Sequence, residues 1–138
     1  MSSEENKAIE RRLKEAVWDR HDPDAADEFV DPDVEEHNSL LGTGHGREGY
    51  KRAMRMAFSA FPDAELTHED LIAEGDRVVE RWTMRGTHRG DFMGVPPTNK
   101  RVTVGGIDIY RYKDGKRVET WSQFDGLGLL RQLGVTHS

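Results

Sequence analysis

The stretch Arg77–Thr87 reads RVVERWTMRGT, and residues 101–125 read RVTVGGIDIYRYKDGKRVETWSQFD. β-Branched and aromatic residues recur along both at the two-residue period of a strand. Asp114-Gly115 interrupts the second stretch with a pair that readily takes positive φ, a strong hairpin signal. Three long antiparallel strands are therefore predicted, at 77–87, 100–112 and 117–124. Between the first two, Gly90, Gly94, Pro96 and Pro97 forbid regular structure, while Phe92, Met93 and Val95 supply apolar anchors. That excursion is expected to fold back onto the protein. Val78, Glu80, Trp82 and Met84 share one face of the first strand. Gly106, Asp108 and Tyr110 share a face of the second, and Thr120 and Ser122 share a face of the last.

Upstream, residues 65–73 read as a further strand, joined to the meander through Glu74-Gly75-Asp76. The first sixty residues predict the cover for this sheet. A helix over 4–20 carries Ile9, Leu13, Ala16 and Val17 at helical spacing, with Trp18 at the edge of that stripe. A short helix over 24–29 has Asp22 as its N-cap and Pro23 in its first turn. Residues 34–38 predict a short edge strand, followed by a loop with Gly42, Gly44 and Gly46. A third helix over 47–61 places Tyr50, Met54, Ala57, Phe58 and Phe61 along one side. Leu127 to Leu133 reads as an apolar turn or helix that plugs the sheet. The layout is α+β, with N-terminal helices packed on a strongly curved antiparallel sheet that encloses a ligand pocket.

The chain of 138 residues is expected to form one domain. No run of about 18 apolar residues occurs, so no transmembrane helix is expected. The first residues, MSSEENK, lack the features of a secretory signal. With no cysteine, thiolate chemistry and disulfides are excluded, and a cytoplasmic location is expected. A net charge of -6 argues against nucleic acid or an anionic membrane as a partner. The 14 arginines and 6 lysines against 26 acidic residues suit a high-salt cytoplasm as well as many ordinary proteins.

Phosphate-binding loops, metalloprotease motifs and nucleophile elbows are absent from the sequence. Asp108 is the most informative residue. A carboxylate amid an apolar strand is costly unless it is paired or stands at a pocket wall, and desolvation there raises its pKa toward acid–base use. It either lines a pocket or pairs with Arg81 or Arg101. Gly106 beside it leaves room for a ligand or eases a bend. His88 ends a strand, where it reaches a substrate oxygen or pins the excursion. Trp18, Phe58, Phe92 and Met93 are pocket-wall or core groups. His37 and His45 flank a glycine loop; neither shows the spacing of a helical metal site, and no metal is expected.

Several motifs resemble the SnoaL-like polyketide cyclase family: Pro62-Asp63, Arg81-Trp82, Gly86-Thr87-His88-Arg89-Gly90, Gly94-Val95-Pro96-Pro97-Thr98, Asp114-Gly115-Lys116 and Leu129-Leu130-Arg131-Gln132-Leu133-Gly134. The resemblance implies the NTF2-like α+β cone. It also implies closure of an aromatic polyketide ring by intramolecular aldol condensation, without metal or cofactor, in an oligomer assembled through the sheet. By the same resemblance the family's catalytic aspartate falls at Ser122. A pocket histidine falls at Asp108, a pocket glutamine at Gly106, a second histidine at Thr120 and an aromatic pocket residue at Trp18.

The expectation is an acid–base cyclase of a small, largely apolar carbonyl substrate, acting as a homodimer or higher oligomer. Asp108 and His88 are the candidate catalytic residues. Trp18, His37, Phe58, Phe92, Gly106, Thr120 and Ser122 are the candidate substrate-binding residues. The alternative is a non-catalytic binding protein for a small apolar ligand or a partner protein. A weaker reading, an epoxide-hydrolase site, needs an Asp–Arg–Asp set of which Asp108 and Arg81 supply only part.

Overall fold

A computed structural model describes residues 2–37 and 45–135. The end of the predicted edge strand at Asn38, the loop glycines Gly42 and Gly44, and His137 lie outside them. Helix α1 spans Ser3–Leu13. Ser2 and Glu5 close a capping box at its start, and Glu4 and Glu5 face the positive end of its dipole. The chain then widens into a π-helical segment, Lys14–Asp19, and tightens into a 3-10 segment, Pro23–Glu28, capped by Asp22. Strand β1 (Val30–His37) leads to helix α2 (Gly46–Ala60). The meander follows: β2 (Glu65–Glu74), β3 (Arg77–Thr87), β4 (Arg101–Lys113) and β5 (Lys116–Phe124), closed by α3 (Gly126–Gln132). Asp114 and Gly115 take φ of 51° and 78°, as a tight hairpin between right-twisted strands requires. Among the described residues no helix is long and apolar enough to cross a membrane.

The α+β character holds, but the expected strongly curved, all-antiparallel cone does not. The sheet is open and mixed, in the order β1-β5-β4-β3-β2. β1 starts earlier than the sequence indicates and runs parallel to β5. The reason is the crossover: α2 carries the chain from β1 to the far edge, and the meander then returns strand by strand until β5 reaches β1. The edges β1 and β2 stay unpaired with each other. The register shifts at three places: by one residue between β2 and β3 and between β4 and β5, and by three residues between β1 and β5, where Val30 faces Arg117 and Glu35 faces Glu119.

One sheet face carries the helices, and two apolar clusters pack between the layers. The first joins Ile9, Leu13 and Val17 to Phe29, Val34, Val78 and Tyr110. The second joins Phe61, Leu66, Met84 and Phe92 to Val104 and Leu129. The excursion after β3 folds back as expected. Arg89 and Gly90 donate backbone hydrogen bonds to the Ala60 carbonyl, and Phe92 is buried in the second cluster. A Cβ at Gly90 would lie 2.2 Å from the Ser59 carbonyl oxygen, which is backbone and cannot swing aside. Gly90→Ala should therefore lift the loop from α2 and cost about 1–3 kcal/mol. The denaturation midpoint reads this directly, and an unchanged midpoint would show that the loop does not depend on this approach.

Candidate active site

A cavity of about 190 Å³ lies between the two clusters. Its wall is mostly apolar, with Leu13, Trp18, Phe61, Met84 and Phe92 among its lining. Trp18 reaches it from the π-helical segment, an irregularity often found at functional sites. Its ring packs edge-on against Phe58, their centroids 5.3 Å apart. The polar part of the wall comes mainly from the inner sheet face, with Glu36, Glu80, Asp108, Tyr110, Arg117, Thr120 and Ser122, and is completed by Glu10, Lys14 and Tyr50 from the helices.

Strand register places these groups. Asp108 pairs with Ser122 across β4 and β5, and Tyr110 pairs with Thr120. The Ser122 hydroxyl donates to Asp108 Oδ1 at 2.7 Å, and the Tyr110 hydroxyl lies 2.9 Å from Asp108 Oδ2. Tyr110 also contacts Glu80, which in turn meets His68 of β2. A phenol has one hydrogen, so both Tyr110 contacts are hydrogen bonds only when one of the two carboxyls is protonated. Burial pushes the Asp108 carboxyl above the ordinary range, against the Ser122 hydrogen bond, and the charge of Glu80 pushes it the same way. The Trp82 indole N–H pulls weakly in the opposite direction, although it makes no hydrogen bond of its own.

Behind this group lies a second polar set. Arg117, 3% exposed, reaches both oxygens of Glu10, which is 1% exposed, and Tyr112 donates to Glu10 at 2.9 Å. The guanidinium sits 3.6 Å above the Tyr110 ring centroid. Burial raises Glu10 to about 7 against the pull of Arg117. Burial works against the charge on Arg117 too, yet Glu10 and the surrounding tyrosines hold it a firm cation.

The candidate residues from the sequence divide cleanly. Trp18, His37, Phe92, Asp108, Thr120 and Ser122 line the cavity. Phe58 packs behind Trp18 rather than on the wall. The room left by Gly106 is filled by Trp82, whose ring would stand 2.3 Å from an added Cβ. His88 is fully buried beside Phe61, outside the lining, where its Nδ1 meets Thr98 and pins the excursion. His37 stands at the sheet edge, stacked on Trp121 and 2.7 Å from Glu119. Arg81 faces the opposite side of the sheet and pairs with Asp70 at 2.7 Å, while Arg101 reaches Asp63. Neither is a partner of Asp108, and the Asp–Arg–Asp arrangement is absent among the described residues. Sequence reasoning missed Glu10, Glu36, Glu80 and Arg117. The signal for Glu80 was its place in the apolar row Val78, Trp82, Met84.

The SnoaL-like polyketide cyclase model matches residues 8–133. The chain belongs to this family. It belongs thereby to the NTF2-like superfamily. Aklanonic acid methyl ester cyclase DnrD of Streptomyces peucetius is 31% identical over 129 residues, covering 90% of this chain and 87% of that protein. Nogalonic acid methyl ester cyclase of Streptomyces nogalater is 29% identical over 113 residues, covering 80% and 84%. The solved structure of TsrD from Streptomyces laurentii superposes with a TM-score of 0.83 at 36% identity, covering 94% of this chain and 97% of that one.

Proposed function

We propose that this SnoaL-like protein is a cyclase that closes a ring by intramolecular aldol chemistry on a largely apolar carbonyl substrate, with Asp108 as the base. The observation that carries the proposal is the position of Asp108. Its carboxylate stands at the polar end of an apolar cavity, joined to Ser122, where the resemblance puts the family's aspartate. The base has moved one strand, from β5 to β4, while its oxygens remain in the same cavity. Asp108 takes a proton from a carbon between two carbonyl groups, and the substrate's conjugation spreads the resulting charge. Ser122 and Tyr110 hold the carboxylate in place. The relatives DnrD and the Streptomyces nogalater enzyme are named for aklanonic and nogalonic acid methyl esters, which makes these two esters the first substrates to try. Cyclisation by wild type and none by Asp108→Asn supports the proposal. Tight binding of both esters with no cyclisation by wild type favours a binding protein.

The uncovered sheet face supports a homodimer. Ile72, Val79, Ile109 and Trp121 form one row across β2 to β5, and Ile72 and Ile107 are 61% and 50% exposed. The ion pairs Asp70–Arg81 and Arg111–Glu119 border the row. Such a patch can meet its own copy across a two-fold axis. Ile107→Glu should convert the dimer to a monomer in light scattering after size exclusion. A wild type that is already monomeric at about 0.1 mM would remove this assignment.

A further inference from the structure

Strand β1 contributes one carboxyl to the cavity that the base mechanism leaves unused. Glu36 pairs in register with Thr120 of β5, one residue pair from Ser122 and Asp108 along the same face. It lines the cavity, and among the described residues its carboxyl has no hydrogen-bond or ion-pair partner. Beside it the Thr120 hydroxyl, in a residue only 4% exposed, is buried without a partner. Buried polar groups are ordinarily satisfied, so an unsatisfied buried hydroxyl beside a half-buried carboxyl that has no partner marks the place of a ligand's polar atom on the cavity wall.

We propose that Glu36 is a second catalytic residue, the general acid that protonates the new oxygen while Thr120 donates a hydrogen bond to it. This rests on Asp108 as the base. The step balances as follows. Asp108 takes the proton from the carbon between two carbonyls. The electron pair left behind forms the new carbon–carbon bond to the second carbonyl carbon. The π pair of that carbonyl moves to its oxygen, which takes the proton of Glu36. The product is an isomer of the substrate, with Asp108 protonated and Glu36 ionised. Glu36 also borders a surface groove with Val34, Glu35 and His45, so solvent can restore its proton.

The electrostatics fit these roles. Burial raises the Glu36 carboxyl, Arg117 opposes that, and Asp108 adds to it. Two carboxyls near each other do not both ionise readily. The charged and titratable groups around Glu36 are Asp108 and Tyr110 of β4, Arg117 of β5, Glu80 of β3, Tyr50 of α2, Glu10 and Lys14 of the N-terminal helical segments, Asp33, Glu35 and His37 of its own strand, and His45 just before α2.

Two reactions separate the acid from the base. One is deuterium exchange from solvent into a 1,3-dicarbonyl that cannot cyclise, which needs only a base. The other is cyclisation of the two methyl esters, which needs both groups. Glu36→Gln should exchange within about threefold of wild type and cyclise about 10²-fold more slowly, the scale of a lost general acid. Its pH profile should lose the decline at high pH, and Glu36→Asp should recover part of the rate. Equal cyclisation by Glu36→Gln and wild type, with Asp108→Asn inactive, overturns the acid role and leaves the base intact. Loss of exchange as well as cyclisation in Glu36→Gln also overturns it, since Glu36 would then position the substrate. Neither reaction in wild type removes the base reading and this inference together. Near-ultraviolet circular dichroism confirms that each variant is folded.

Discussion

Arg117→Met should destabilise the protein by about 3–5 kcal/mol, the usual result of stripping one partner from a buried ion pair. Arg117 and Glu10 are both almost wholly buried, so water offers either charge little compensation. Arg117 places its cation in the cavity wall with Glu10, Glu80, Asp108 and Glu36, its side chain 4% exposed. Methionine keeps much of the volume over the Tyr110 and Tyr50 rings, so the loss reports charge more than packing. Its dependence on pH tests that attribution. Glu10 is held up to about 7 in the folded protein and titrates near the ordinary glutamate value of 4.5 when unfolded. Between these values the folded state binds more protons, so this group's contribution to stability declines as pH rises through about 7. In the variant an uncompensated Glu10 can still be neutral at pH 5 but is forced toward charge at pH 8. Urea unfolding should show the larger deficit at pH 8. Equal deficits at both values would assign the effect to lost packing and not to charge.

Asp108→Asn is expected to lower kcat/KM for the methyl esters by about 10²–10⁴-fold, the range for removing a general base. The amide keeps the shape and still accepts from Ser122, so binding should change little. In wild type the rate should climb with pH as Asp108 loses its proton. Burial places that climb above the ordinary range of an aspartate, because the charged form is the one desolvation penalises. A variant that retains turnover with an unshifted pH profile would take the base role away from Asp108. Ser122→Ala is the companion measurement. It removes a donor that favours the carboxylate, so the climb should move to higher pH.

The polar wall shows why some of this site was legible in the chain and some was not. Asp108 announced itself because it interrupts an apolar strand, and its neighbours in sequence, Gly106 and Tyr110, share its face. The motifs around Pro96-Pro97-Thr98 and Arg131-Gln132-Leu133-Gly134 were enough to indicate the family. Glu36 was harder. β1 carries acidic residues at Asp31, Asp33, Glu35 and Glu36, and alternation alone does not say which of them faces inward until the parallel pairing with β5 is known. Arg117 was hidden by the bulge. Tyr112 pairs with Arg117 and Arg111 with Glu119, so Val118 is the extra residue, and both Arg117 and Thr120 turn inward three positions apart. A strict two-residue period would have put them on opposite faces.

Local chemistry determined the helices, the turns and the meander, because caps, prolines, Asp-Gly pairs and apolar periodicity act within a few residues of one another. It also determined which strand face is mixed apolar and acidic. The partner of β1, the open mixed sheet and the meeting of Glu10 with Arg117, 107 residues apart, were decided only by the tertiary structure. Those contacts depend on where the crossover helix delivers the chain and on single-residue shifts of register, and each is settled by burial summed over the whole core.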